Sequence, residues 1–381
     1  MRLTDAAAIA GIGSTAFGKH LDGAEKDLAC QAIVAALDDA GLDPGEVDGM
    51  CSYTMEETDE VEIAKNIGAG EIAFFSRIGY GGGGGCATIA QLAMAVATGR
   101  CTVGVAWRSR KRGSGLRPWA AAEGQPSTGA QWTRPFGLLR PADEIAMLAR
   151  RYLHTYGATR DHLANVALAC RRHANANPGA MMFERTLTRE QYHAARWVSE
   201  PLGLYDCCLE TDGALACVVV SGERAADLPQ RPVYVHSASQ GLPRQHHGMT
   251  NYWGPDPLRG PGYACARPLW RAAEFTPADV SVAQIYDAFT PLVPFSLEAY
   301  GFCGPGEGAS FTEDGGIELG GRLPVNTSGG GLSEAYVHGF NLIVEGVRQL
   351  RGTATTQVAD ARTCLVTSGE CVPTSALLLR N

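Results

Sequence analysis

The stretch that decides the fold lies near the C-terminus, where residues 326–339 read Asn-Thr-Ser-Gly-Gly-Gly-Leu-Ser-Glu-Ala-Tyr-Val-His-Gly. Three consecutive glycines followed by small and apolar residues predict a loop that opens a helix. The first turn of a helix has unpaired backbone N–H groups and the positive end of the helix dipole, so such a loop is suited to hold an anion. Tyr336 stands at the end of this loop and is the first candidate for a functional side chain.

A second glycine-rich loop, residues 81–85, precedes Cys86 and an alanine-rich segment that reads as a buried helix. Residues 40–47 (AGLDPGEV) and 273–280 (AEFTPADV) share a helix end, a proline-initiated turn, an acidic residue and a strand start, at an offset of 233. This correspondence predicts two repeated halves, with chance similarity as the alternative. If the repeat holds, Cys86 and Tyr336 occupy equivalent positions at two helix N-termini.

Along the chain, apolar runs alternate with helical stretches, which indicates a layered α/β fold. Strands are predicted at residues 6–11, 47–53, 102–107 and 214–221, and helices at residues 26–40, 86–98, 143–156 and 161–176. Residues 108–213 are rich in Arg, Gly, Pro and Trp and read as a region that covers one face. The basic run at residues 108–112 reads as a solvated loop rather than a contact for the phosphate groups of a ligand. We predict an N-terminal half over residues 1–230 and a C-terminal half over residues 231–381.

The composition is ordinary for a well-buried globular protein, with 45% hydrophobic and 19% charged residues in a chain of 381. A net charge of −8 argues against nucleic acid and anionic membranes as partners. There is no targeting segment and no long apolar run, so we expect a cytoplasmic protein. The 12 cysteines lack a repeated Cys-x-x-Cys spacing and are expected to be mostly buried thiols in a reducing compartment.

Several separated stretches together resemble the thiolase superfamily, in its lipid-transfer-protein or sterol-carrier-protein-x branch. They are residues 8–13 (AIAGIG), Cys86 with its helix, residues 286–289 (YDAF), the 326–339 loop and residues 367–374 (TSGECVPT). Five further runs are similar to the thiolase-like aldolases of bacterial steroid side-chain degradation: YDAFTP at 286–291, GFCG at 301–304, IELGGRLP at 317–324, EAYVHG at 334–339 and EGVRQLRG at 345–352. The resemblance implies the five-layered αβαβα thiolase fold, a dimer, and an active site where the two halves meet.

The positions at which this chain differs from the thiolase pattern indicate which reaction it catalyses. Thiolases use a nucleophilic cysteine, an activating histidine, a second cysteine and an oxyanion hole. The resemblance places Tyr336 at the position of the histidine, Tyr286 at that of an asparagine or histidine, and Thr367 at that of the second cysteine. Cys86 remains near the nucleophile position, where a thiolate at a helix N-terminus would be acylated. Because no histidine is present to activate it, we favour the interpretation of Cys86 as a small buried residue.

Retro-aldol cleavage of a β-hydroxyacyl-CoA fits the residues that remain. It requires a base for the hydroxyl proton, an oxyanion site for the thioester enolate and an acid for the α-carbon, with no covalent intermediate and no cofactor beyond the CoA of the substrate. We predict that Tyr286 and Tyr336 perform the proton transfers; because a phenol has an ordinary pKa of about 10, the site must stabilise a phenolate if one of them is the base. Backbone N–H groups around Gly330 and Gly369 are the oxyanion candidates.

Other residues have two interpretations each. Tyr252, in a Gly- and Pro-rich loop, lines the pocket or is a surface aromatic. Asp287 orients the phenol of Tyr286 or caps the helix that follows it. His338 forms a hydrogen bond within the site or is an ordinary helix residue.

Two other aldolase chemistries are disfavoured by the sequence. A Schiff-base mechanism needs a buried lysine, but Lys19, Lys26, Lys65 and Lys111 all lie outside the motif loops. A metal mechanism needs clustered ligands, and the tight pair at residues 246–247 lacks the usual ligand spacing, so no metal site is predicted.

We therefore predict a carbon–carbon lyase that acts on a steroid 17-hydroxy-20-carboxyl-CoA and releases a 17-ketosteroid and propionyl-CoA or acetyl-CoA. The resemblance supplies the steroid and implies a catalytic homodimer joined by a small OB-fold accessory protein in a heterotetramer. Two alternatives stay open: a thiolase or acyltransferase that uses Cys86, and a non-catalytic subunit that binds acyl-CoA or lipid.

Overall fold

The structure is a computed structural model that describes residues 3–53, 58–115, 130–246, 249 and 254–381. Its strands are β1 (Ala7–Ser14), β2 (Gly49–Tyr53), β3 (Phe74–Ile78), β4 (Gly104–Lys111), β5 (Trp197–Ser199), β6 (Leu202–Gly203), β7 (Asp212–Ser221), β8 (Val233–Gly241), β9 (Val282–Gln284), β10 (Thr363–Thr367) and β11 (Thr374–Arg380). Its helices are α1 (Glu25–Ala40), α2 (Glu60–Ile67), α3 (Gly85–Ala97), α4 (Ala130–Thr133), α5 (Pro141–Tyr156), α6 (Arg160–Asn175), α7 (Arg189–Ala194), α8 (Gly222–Ala226), α9 (Pro261–Ala272), α10 (Leu292–Ala299), α11 (Gly308–Phe311), α12 (Gly330–Ser333) and α13 (Phe340–Arg351).

The strand order shows the internal repeat directly. The large sheet runs β3-β2-β4-β7-β1-β8-β11-β10-β9, and its two halves meet through the pairs Ala8↔Tyr234 and Ile9↔Val233. In the first half β2 is parallel to β4, β4 is antiparallel to β7 and β7 is antiparallel to β1. Strands β9, β10, β11 and β8 repeat this order with the same directions. The 3-10 turns Pro44–Glu46 and Pro277–Asp279 precede the second strand of each half and lie 233 residues apart, as the sequence predicts.

Successive side chains of a strand point to opposite faces of the sheet, so the apolar core is divided into layers. On β7, Leu215, Cys217 and Val219 face a central apolar cluster, whereas Ala214 and Ala216 face an outer one against α1. Helices α3 and α13 fill the central cluster, and α3 contacts strands of both half-sheets. A third cluster packs α9 and α10 on the other outer face. The predicted five-layered αβαβα fold is therefore confirmed, while the domain boundary at residue 230 stays a prediction.

The prediction that the basic residues 108–112 form a solvated loop is wrong. Arg108 and Arg110 belong to strand β4, and both, like Arg112 just after it, are buried rather than solvated. Because strand side chains alternate, all three point toward the central layer with Ala106. Their spacing of two residues was the signal of a strand that continues beyond Trp107.

The expected symmetry of Cys86 and Tyr336 is also wrong. Cys86 is the second residue of α3, but Tyr336 lies between α12 and α13, four residues before α13 begins. His338 and Gly339 have positive φ values of 50° and 79°, which interrupts the helix after α12. No helix among the described residues is long and apolar enough to cross a lipid bilayer.

Candidate active site

The two predicted tyrosines meet at their hydroxyl groups. Tyr286 follows the C-terminal end of β9, and its Oη lies 2.5 Å from the Oη of Tyr336, within hydrogen-bond distance. The ring centroids are 6.1 Å apart, and the ring planes are inclined by 66°. Each phenol is therefore able to pass a proton directly to the other.

The backbone beside each tyrosine is fixed by a threonine from a different element. The N–H of Tyr286 donates to Oγ1 of Thr367 at the end of β10, at 3.0 Å. The N–H of Tyr336 donates to Oγ1 of Thr211, just before β7, at 2.9 Å. Thr367, which the resemblance places at the position of a second cysteine, thus anchors the backbone of a phenol residue. Thr211 was missed by sequence reasoning because no local motif marks it.

Three glycines leave room for the ring of Tyr286. A Cβ atom on Gly82 would lie 2.0 Å from its Oη, one on Gly339 would lie 2.6 Å from Cδ2, and one on Gly369 would lie 3.4 Å from Cε1. The first two distances are shorter than any ordinary contact. The glycine-rich loop before α3 thus approaches the phenol pair.

Burial and a nearby cation act in opposite directions on these phenols. Burial raises the pKa of Tyr286 and Tyr336 above the usual range, and the positive charge of Arg112 lowers both. Both hydroxyls are therefore protonated at neutral pH. Desolvation outweighs the charge of Arg112 in the free protein, so which tyrosine becomes the base during the reaction stays a prediction.

His338 is held in place from two directions. Nη2 of Arg108 lies 2.9 Å from Nδ1 of His338, and the hydroxyl of Tyr53 donates to the carbonyl oxygen of His338 at 3.0 Å. The ring centroid is 5.4 Å from that of Tyr336. Burial, reinforced by the charges of Arg108, Arg110 and Arg112, lowers the pKa of His338 well below its usual range, so the imidazole is neutral. His338 belongs to the site and lies outside the helices.

Asp287 is a cap rather than a partner of the phenol. Its Oδ1 accepts from the N–H of Gly331 at 2.7 Å, and its Oδ2 accepts from that of Leu332 at 3.2 Å. It therefore caps α12, which comes from the glycine loop, and not the helix that follows it in the chain. Burial raises the pKa of Asp287 to about 6.

Cys86 is buried against the backbone of β10. It is 1% exposed, its Sγ donates to the carbonyl oxygen of Val366 at 3.5 Å, and burial raises the pKa of the thiol to about 12. A thiol in this state is a poor nucleophile. Among the residues described, the loop contributes Gly81 and Gly82 to the cavity, but not Cys86.

The predicted oxyanion groups find no support in this geometry. The N–H of Gly369 donates to the carbonyl oxygen of Gly82 at 2.9 Å, so it is engaged within the protein. The N–H groups after Gly330 donate to Asp287, and Gly330 is outside the described lining of the cavity. Tyr252 lies outside the described residues, so its role stays a prediction.

The phenol pair lies in the wall of a cavity of about 1020 Å³. This is at the upper end of the roughly 300–1,000 Å³ typical of ligand pockets. Its apolar lining includes Ile145, Val198, Phe289, Leu292 and Leu332. Its ionisable lining is mainly basic, with Lys19, Arg112, Arg134, Arg140, Arg171, Arg185 and Arg196 against the acidic residues Glu210 and Glu370.

This charge distribution contrasts with the net charge of −8 of the whole chain. Within the described part of the chain, Lys19, Arg134, Arg185 and Arg196 form no ion pair. Several uncompensated cations beside an apolar wall suit a ligand that combines phosphates with a hydrophobic body.

Comparison with known proteins shows the family of this chain. Residues 7–223 match the family model described as Thiolase, N-terminal domain, and residues 256–378 match Thiolase C-terminal domain-like. The chain belongs to the thiolase superfamily, as its motifs predict.

Two relatives and one solved structure are similar to this chain over nearly its whole length. The chain is 47% identical to a steroid side-chain-cleaving aldolase of Thermomonospora curvata, over 99% of this chain and 98% of that protein. It is 48% identical to the 17-hydroxy-3-oxo-4-pregnene-20-carboxyl-CoA lyase of Mycobacterium tuberculosis, over 99% of this chain and 100% of that protein. Among solved structures, it resembles an Ltp2-ChsH2(DUF35) aldolase with a TM-score of 0.96 and 47% identity, covering 100% of this chain and 99% of the other.

Proposed function

We propose that this chain is the catalytic subunit of a CoA-thioester retro-aldolase. Its substrate is a steroid 17-hydroxy-20-carboxyl-CoA, and its products are a 17-ketosteroid and propionyl-CoA or acetyl-CoA. The observation that carries the proposal is the 2.5 Å contact between the hydroxyls of Tyr286 and Tyr336 in the wall of a cation-lined cavity. The names of the aldolase and lyase relatives support the steroid and the CoA thioester.

The chemistry follows from the touching phenols. When the carbon–carbon bond breaks, its electron pair forms the enolate of the departing thioester, and the β-hydroxyl group becomes a ketone as it loses its proton. One phenol accepts that proton while it passes its own to the second phenol, which delivers a proton to the α-carbon. Because the net reaction moves one proton from oxygen to carbon, the pair begins and ends neutral, which agrees with the raised pKa of both hydroxyls.

The cationic and the apolar residues of the cavity wall suit different parts of the substrate. The uncompensated Arg134, Arg185 and Arg196 suit the phosphates of CoA, and Phe289, Leu292 and Leu332 suit the steroid rings. The thioester between them then reaches the phenols. A thiolase reaction through Cys86 is disfavoured because the thiol is buried and protonated and is not part of the described cavity lining.

We further propose that the chain forms a homodimer that binds a small OB-fold accessory protein, giving a heterotetramer. The similar solved structure is an Ltp2-ChsH2(DUF35) aldolase, and the pairing of two components in that name supports a second component here. Light scattering of the chain alone and with the accessory protein tests both steps.

The decisive experiment is product analysis. The purified chain, with and without the accessory protein, is incubated with the 17-hydroxy steroid acyl-CoA and with a matched acyl-CoA that lacks the hydroxyl group. Chromatography with mass spectrometry should detect a 17-ketosteroid and a short acyl-CoA from the first substrate only. A β-ketoacyl-CoA supplied together with free CoA tests the alternative: its thiolysis into two shorter acyl-CoA products, without ketosteroid from the hydroxy substrate, would show a thiolase instead.

A further inference from the structure

A retro-aldolase needs a hydrogen-bond donor for the thioester oxygen, which gains negative charge as the enolate forms. The backbone amides expected to supply it are engaged: that of Gly369 donates to Gly82, and those of Gly331 and Leu332 donate to Asp287. The contacts of His338 point to a different donor, and this inference rests on the proposed function.

The contact with Arg108 determines which nitrogen of His338 carries its proton. A guanidinium group has only donors, so Nδ1 of His338 accepts from Nη2 of Arg108 at 2.9 Å. A neutral imidazole then has its proton on Nε2. Arg108 is fully buried and is itself fixed by the carbonyl oxygen of Tyr53 at 2.7 Å, so the ring cannot easily exchange this partner.

The backbone of His338 is held in an uncommon conformation that presents the ring to the cavity. Its φ of 50° lies in the left-handed region, and the hydroxyl of Tyr53 holds its carbonyl oxygen. Such backbone strain is concentrated at functional sites. The ring lines the cavity, 5.4 Å from the ring of Tyr336, and since Nδ1 is turned to Arg108, Nε2 on the other side of the ring is left for the ligand.

We propose that His338 donates its Nε2–H to the thioester oxygen of the substrate and stabilises the enolate that forms when the carbon–carbon bond breaks. The proton stays on Nε2 throughout, so the histidine acts as a neutral electrostatic donor while the phenols move protons. A neutral imidazole is suited to this role because it polarises a carbonyl group without protonating it. Arg108 is the positioning residue that selects the tautomer.

The test measures the thioester carbonyl itself. Propionyl-CoA labelled with ¹³C at the carbonyl lacks the β-hydroxyl group and cannot be cleaved, so its bound infrared band reports polarisation alone. We expect a lower wavenumber in the wild-type complex than in the H338G complex. The double variant Y286F/Y336F should keep the low band, because the phenols are not needed for it. Removal of one oxyanion donor typically costs about 10²–10³-fold in kcat, and H338G should lose steroid cleavage by that factor.

Added imidazole should restore the band and part of the activity in H338G, because it fills the space, accepts from Arg108 and carries an N–H group. The control compound, 1-methylimidazole, accepts from Arg108 equally well but has no N–H group, so it should not. Glycine suits the left-handed backbone, and H338A, which likewise has no donor and leaves space for imidazole, replaces H338G if circular dichroism shows the glycine variant unfolded.

The same carbonyl band in wild-type and H338G complexes, or equal restoration by both compounds, would overturn the proposal. Failure of the wild-type protein to cleave the steroid substrate would instead refute the proposed function. The band comparison with propionyl-CoA still tests His338 in that case, so the two failures are distinguishable.

Discussion

Gly82 and the hydroxyl group of Tyr286 are in such close contact that a Cβ atom on the glycine would lie 2.0 Å from the phenol oxygen. The loop before α3 therefore contributes to this reaction by having no side chain. A larger residue at this position would occupy the space of the phenol, and a nucleophile there would collide with it. The phenol pair therefore requires a residue without a side chain at position 82.

Replacement of Gly82 by alanine should displace Tyr286 and reduce cleavage by about 10²-fold, because a shift of about 1 Å at a reacting group has that order of effect. Steady-state kinetics of G82A, with circular dichroism as a folding check, measures it. The matched control is G85A in the same loop, where a Cβ atom would meet its nearest neighbour at an ordinary 3.5 Å. Equal activity of G82A and G85A would contradict this account.

The two phenol hydroxyls should be required for cleavage. Y286F and Y336F keep the rings and delete the oxygens, so each should lose about 10²–10⁴-fold in kcat, the usual value of general acid–base catalysis. The double variant should be little worse than the worse single variant, because the two groups form one relay. Y205F removes a hydroxyl from another tyrosine of the cavity and should stay near wild type. A folded Y286F or Y336F with wild-type rate would remove that residue from the mechanism.

Cys86 should be dispensable for chemistry. Its buried thiol, with a pKa raised to about 12, cannot supply a thiolate at neutral pH, so C86A should cost only a few-fold through lost packing. Mass spectrometry of the wild-type protein quenched during turnover should find no acyl group on Cys86. A trapped acyl-enzyme would rule out the relay as the sole mechanism.

The uncompensated arginines at the cavity should set the affinity for CoA thioesters. R185Q and R196Q should each raise KM several-fold with little change in kcat, because they remove binding that is equal in ground and transition states. The increase should shrink at high salt, where exposed charges are screened. The control R150Q removes an arginine that already pairs with Glu200 at 2.9 Å outside this cavity. Equal KM values for R185Q, R196Q and R150Q would place the CoA phosphates elsewhere.

Glu370 should make stability depend on pH. Burial raises the pKa of this carboxyl to about 8, while Gly262 N–H donates to its Oε1 at 3.1 Å. Between the unfolded pKa of about 4.3 and the folded value, folding takes up a proton, so stability falls as pH rises, by at most about 1.4 kcal/mol per pH unit.

E370Q cannot ionise, so chemical denaturation should show its stability relative to wild type increasing from pH 5 to pH 8 and levelling off above that. Because all other groups titrate alike in both proteins, they cancel in this difference. A difference that does not change with pH would mean that Glu370 is already ionised in the folded protein.

Much of the site could be predicted from the sequence because it depends on residue identity within short motifs. The resemblance that places Tyr336 at the position of a catalytic histidine, the presence of Tyr286 in its motif and the absence of lysines from both loops all depend on local sequence. So are the proline turns 233 residues apart, since a turn is encoded by a few neighbouring residues. Together with the family resemblance, these features predicted the fold, the reaction class and the two phenols as candidate catalytic groups.

Only the tertiary structure decided how the groups act together. The phenols are 50 residues apart in the chain, and Thr211 lies 125 residues from the Tyr336 amide that it holds, so these contacts depend on how the layers pack. The same packing buries Arg108 against His338 and occupies the Gly369 amide. A sequence motif specifies which groups are present, but desolvation and hydrogen-bond partners, which set protonation and availability, come from residues that are remote in the chain and adjacent in space.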